Sequence, residues 1–196
     1  MFKKNKTWLV LMVLIGLSLA GDINAQAVKA NKLLDEANVI TKKQNELIVK
    51  ATELFNELFH DNLAKAEDIE TYEDVKAYKE KNKSKFDELI SLMGQIERLA
   101  AESIDKYEQA SKLKLPGKFK EYMDIKIQEF KKRADGHKLV APFIKEFLQT
   151  NDVYKLIKVM EDYGKQTADI IKEAAKLSEK AGQIAKDNPK VIKIKN

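Results

Sequence analysis

The sequence predicts an all-α fold, an elongated up-down-up-down, antiparallel four-helix bundle with long helices, preceded by a signal peptide. Three observations predict it. Apolar residues recur at steps of three and four along the whole chain after position 26, the period of a helix with one buried face. The 196 residues hold only seven Gly and three Pro, too few for the closely spaced turns of a β-sandwich or barrel. The breaks in the periodicity are short, so consecutive helices must run back alongside one another.

The N-terminus comes first. Lys3, Lys4 and Lys6 precede an apolar run over residues 8–20, which is 13 residues long. A membrane-spanning helix needs roughly 20. A basic start, a short apolar stretch and small residues behind it make a secretory signal, with cleavage expected between Ala25 and Gln26. Leu19, Ala20 and Gly21 resemble the start of a lipoprotein signal. Asp22 stands where the acylated Cys would be, so a lipid-anchored form is excluded. Residues 1–25 are thus expected to be removed, leaving the mature chain extracytoplasmic, in the periplasm or secreted.

The first bundle helix is expected over about 26–66, with Ala30, Leu34, Ala37, Leu47, Ala51, Leu54, Phe55, Leu58 and Phe59 on its apolar face. Thr71 with Asp74 three positions later resembles a capping box and opens a second helix, expected over 71–113. It carries Val75, Phe86, Leu89, Met93, Ile96, Ala100, Tyr107 and Ala110, and stops before Leu115-Pro116-Gly117. The third is expected over 116–149, with Pro116 tolerated in its first turn and a bend near Pro142, which lacks the N–H that would bond the carbonyl of Lys138. The fourth spans 152–187 through Leu156, Ile157, Met160, Ile170, Ile171, Ala174, Leu177 and Ala181. Such rods are roughly 50–60 Å long. Residues 187–196 form a basic tail, expected to be mobile.

Topology sorts the side chains between two ends. Small residues (Ala30, Ala37, Ala100, Ser103, Ala110, Ala174, Ala181) gather near the termini, opposite Phe119, Tyr122, Met123 and Phe130. Large against small is how a dense core is filled. The other end collects nine of the thirteen aromatics that follow position 25. They make either a bulky core layer or, at Phe55, Phe59, Phe143, Phe147 and Tyr154, an apolar end that receives a ligand or partner.

Chemistry is excluded class by class. No cysteine means no disulfide, no thiolate ligand and no thiol nucleophile. Lys outnumbers Arg 34 to 2, so bidentate phosphate clamps are scarce. Glu57 and His60 form one Glu-x-x-His, but a di-iron bundle needs two. His60 is turned to solvent by its apolar neighbours, whereas His137 faces the core and is expected to hydrogen-bond a polar group at its height, such as Gln44 or Thr167. The seven glycines are isolated, so no phosphate loop exists, and the acidic residues are expected on polar faces. No catalytic, cofactor-binding or metal-binding residues are assigned.

The chain carries a net charge of +5 with a pI near 9.0. Loss of the signal lowers this to +3, and the tail holds two more, which leaves the body near +1. The lysines of residues 76–85 and the run Lys131-Lys132-Arg133 interleave with acids, so no nucleic-acid partner is expected. Asn82-Lys83-Ser84 matches a glycosylation sequon. The function expected is that of an exported, non-enzymatic bundle without cofactor, acting by binding a protein or envelope surface. A membrane-associated bundle is the alternative, and a cofactor- or apolar-ligand-binding bundle the third reading.

Overall fold

The computed structural model describes residues 5–63, 71–189 and 192, with side chains described for residues 25–60, 71–189 and 192. The protein is all-helical, and no strand occurs among the described residues. Helix α1 (Asn5–Asn56) continues into a π-helical turn, Glu57–Leu63. It is followed by α2 (Tyr72–Lys81), α3 (Lys83–Ser111), α4 (Gly117–Lys138), α5 (Val140–Gln149) and α6 (Val153–Asp187). Helix α1 passes without a break through the expected cleavage point, where Ala25 is exposed and Gln26 half-buried. The side chains of the apolar run at 8–20, residues 64–66 of the first expected helix and most of the tail lie outside the described residues.

Local chemistry sets the helix ends. Thr71 and Asp74 form the reciprocal capping box: the Thr71 N–H donates to Asp74 Oδ2 at 2.9 Å, and the Asp74 N–H donates to Thr71 Oγ1 at 3.3 Å. The single helix expected over 71–113 is divided at Asn82. Its Nδ2 donates to the Tyr78 carbonyl at 2.9 Å, a local bond that competes with the helical ladder and ends α2. Asn82 is 6 % exposed, so the sequon residue is part of the packing and unsuited to carry a glycan. Between α4 and α5 the interruption falls at Leu139. Its N–H bonds the Gly136 carbonyl at 3.2 Å, a tightened turn, and Pro142 sits in the first turn of α5.

Cross-helix bonds give the register. Glu36 meets Lys106 at 2.8 Å, Thr41 Oγ1 lies 3.1 Å from Ser103 Oγ, and Glu57 pairs with Lys85. Numbers therefore rise along α1 as they fall along α3. Glu108 with Lys131 (2.7 Å) joins α3 to α4, and Lys132 with Glu173 (2.6 Å) joins α4 to α6.

Apolar burial is divided between two clusters. One joins Phe59, Phe86, Leu89, Met93, Ile96, Phe143, Ile144, Phe147 and Leu156. The other joins Ala30, Leu34, Ala37, Tyr107, Ala110, Phe119, Tyr122, Met123, Ala181 and Ala185. Ile192 belongs to this second cluster and is 3 % exposed, so the tail is pinned at that residue, not free throughout as expected. A fully buried side chain of this size contributes about 1.5–3 kcal/mol, enough to hold a short segment against the bundle.

Candidate functional site

The two clusters do not meet in a continuous core. Helix α1 packs on α3 and α6 packs on α4, and α1 meets α6 at Phe55 and Tyr163, whose ring centres lie 5.9 Å apart. Between them lies a cleft of about 860 Å³, within the size range of small-molecule sites. On α1 it is lined by Asn38, Thr41, Gln44, Asn45, Ile48, Ala51, Thr52 and Phe55. Every polar residue in that strip is uncharged, although 34 % of the chain is charged.

The opposite wall belongs to α4 and carries charge. Glu129 is 2 % exposed, and its carboxylate accepts from Lys126 Nζ at 2.6 Å and from Arg133 Nε and Nη2 at 3.0 and 2.9 Å. A carboxylate this deep needs such partners, because an uncompensated buried charge costs several kcal/mol. The spacing i, i+3, i+7 brings the three side chains onto one helical face. Lys126 also lies 4.6 Å from the centre of the Phe130 ring. These acids and bases were expected on polar faces; Glu129 departs from that, because α4 turns this face toward the cleft instead of solvent.

Tyrosines and His137 complete the polar part. Burial pushes the Tyr122 hydroxyl up to about 12, helped by the nearby Glu129 charge. Burial raises Tyr107 further in the same direction, with Tyr122 and Glu129 adding to it. Both phenols are therefore neutral donors at ordinary pH. His137 is shifted downward, first by burial and then by the Arg133 charge, which favours the neutral ring. Gln44 and Thr167 line the same cleft as His137, but neither bonds to it. Thr167 Oγ1 instead donates to the Tyr163 carbonyl at 2.8 Å. Gln44 is 5 % exposed and has no hydrogen-bond partner among the described residues. Its amide atoms stay open to the cleft: the buried side-chain atom left without a partner among the described residues is Asn31 Oδ1.

Farther along, the cleft turns apolar, with Leu89, Met93, Ile96, Val140, Tyr163 and Ile170 joining Ile48, Ala51 and Phe55. Here it opens onto the aromatic cluster. Phe59 lies 4.6 Å from Phe55, 5.0 Å from Phe143 and 4.9 Å from Phe147 (ring centres), and Phe143 stacks on Tyr163 at 4.3 Å. Phe59, Phe143 and Phe147 are buried in one another, and Phe55 alone of the four lines the cleft. Tyr154 is 87 % exposed and stands apart from them. Periodicity groups the five because it records a helical face and not how far two faces approach.

The other candidates are elsewhere. His60 is exposed, and no group of three or more His, Asp or Glu suited to a metal occurs among the described residues. The basic run is internally engaged: Lys131 with Glu108, Lys132 with Glu173, Arg133 with Glu129. No helix among the described residues is long and apolar enough to cross a membrane. Compared with protein-family models, curated proteins and solved structures, the chain matches none.

Proposed function

We propose that this protein is an exported, non-enzymatic binding protein: an antiparallel, up-down-up-down four-helix bundle whose α1 and α6 flank a ligand cleft. The cleft of about 860 Å³, with uncharged polar residues on α1 and the Lys126–Glu129–Arg133 cluster on α4, carries this reading. Export rests on the basic start, the 13-residue apolar run and the small residues ending at Ala25, which together favour cleavage before Gln26. Of the three readings the sequence allows, capture of an apolar or amphipathic molecule fits the cleft best.

A neutral solvatochromic probe, N-phenyl-1-naphthylamine, tests it. Its emission should rise and shift to the blue with the purified protein, and Thr167→Trp, which fills the cleft from α6, should abolish the change. Equal uptake by Thr167→Trp would refute a ligand site between α1 and α6.

Docking of a protein partner is a second reading, favoured by Tyr154 and Ile157. They stand one turn apart on α6 at 87 % and 50 % exposure, a small apolar surface distinct from the cleft.

A further inference from the structure

The charged groups in the polar part of the cleft sum to a positive charge. Among the described residues Glu129 is the only acidic one lining it, and each of its oxygens accepts from Lys126 or Arg133. Those two bases keep donors in hand. A guanidinium has five N–H groups, of which Arg133 directs two at Glu129, and an ammonium has three, of which Lys126 directs one. The charge across the three side chains is +1. Gln44 adds a free amide, and Tyr107 and Tyr122 add hydroxyls that burial keeps protonated. His137, held neutral, contributes no countercharge. The positive sum favours an anionic head over a cationic one.

Position then orders the guest. Lys132 meets Glu173 and Thr41 meets Ser103, so the charged cluster lies toward the end where the small residues pack. From Gln44 to Phe55 the cleft wall on α1 runs roughly 16 Å at the helical rise per residue, faced by Met93, Leu89, Val140 and Tyr163. We infer that the cleft takes a single-chain amphipathic monoanion, its carboxylate-like head between Lys126, Arg133 and Gln44 and its acyl tail along Ile48, Ala51 and Phe55. This rests on the reading of the cleft as a ligand site and names the ligand class for it. Each methylene drawn from water into the apolar half adds about 0.8 kcal/mol, which converts to roughly fourfold in affinity.

The experiment compares decanoate, decanol and decyltrimethylammonium, each as monomer, by calorimetric titration of the purified protein. Decanoate is expected to bind at least tenfold more tightly than decanol, and the cation least. Gln44→Leu and the triple change Lys126→Gln, Glu129→Gln and Arg133→Gln, which takes the cluster from +1 to neutral, should lower decanoate affinity at least fivefold and leave decanol unchanged. Equal binding of all three amphiphiles would overturn the anion assignment while leaving the cleft as an apolar site. A preference for decanoate that survives both variants would place the head elsewhere and overturn it as well. No binding of any amphiphile would overturn the cleft reading itself. A bilayer phospholipid presents the same chemistry, so flotation with phosphatidylglycerol vesicles forms a separate arm. Flotation without uptake of monomeric decanoate would replace the cleft with a membrane surface and refute the proposal.

Discussion

Arg133 aims both Nε and Nη2 at the same oxygen of Glu129, Oε1, at 3.0 and 2.9 Å, and so leaves Oε2 to Lys126. The carboxylate thereby takes three charge-assisted bonds while the residue is only 2 % exposed. Lys126→Met removes half of that support. It should destabilise the protein by about 3 kcal/mol in urea unfolding, since an under-compensated buried charge is left behind. Adding Glu129→Met should recover most of the loss. A double variant no more stable than Lys126→Met would show that the pair does not act as a unit.

Lys79 tests the opposite end of the molecule. It is 7 % exposed, donates to the Thr150 carbonyl and to Asn151 Oδ1 (3.1 Å), and stands 4.8 Å from the Phe147 ring centre. Burial lowers its pKa to about 8, below the value of 10.5 expected for an exposed lysine. Between those values the unfolded chain holds a proton that the folded chain has released, so stability rises with pH in that window. The stability of the wild type relative to Lys79→Met should be flat below pH 8 and increase toward pH 10.5. A constant difference across the range would rule out this burial.

The aromatic end separates core from surface. Phe147 is fully buried against Phe59 and Phe86, so Phe147→Ala should cost about 3–5 kcal/mol. Tyr154→Ala should change stability by less than about 0.5 kcal/mol, because that ring stands in solvent. Thermal unfolding of the two variants decides whether these residues share a role.

Glycines inside helices offer a finer check. A methyl added at Gly94 or Gly164 meets nothing within 4 Å, so Ala at either should stabilise by about 0.5–1 kcal/mol. At Gly136 the added carbon would stand 3.2 Å from Ile170 Cγ2, where α4 and α6 come closest to that point. Ile170 is β-branched and stiff, so Gly136→Ala should gain nothing or lose stability. Equal gains at all three sites would mean that the two helices are less tightly set than described.

Much of the helical content was legible in the sequence, because periodicity, Thr71–Asp74 and the Pro and Gly breaks are local signals. The division at Asn82 was not, since the apolar period runs through it and only the buried amide bonding Tyr78 ends the helix. The cleft was the least legible. Periodicity assigned Ile157 and Ile171 to the core, but they are 50 % and 67 % exposed, and Ile171 lines the cleft. One trace was present: Asn38, Thr41, Gln44, Asn45 and Thr52 make an uncharged polar strip on α1 in a chain otherwise dense in charge. Glu129 escaped notice because an acid in a helix reads as solvent-facing until its Lys126 and Arg133 partners are seen on the same face.

Amide hydrogen exchange with and without saturating decanoate tests the central claim most directly. A ligand seated between α1 and α6 should slow exchange in residues 38–55 and 163–182 together, as both walls of the cleft become ordered around it. Exchange at Tyr154 and Ile157 should be unchanged. Protection confined to Tyr154 and Ile157, or none along the two walls, would contradict a ligand site in the cleft.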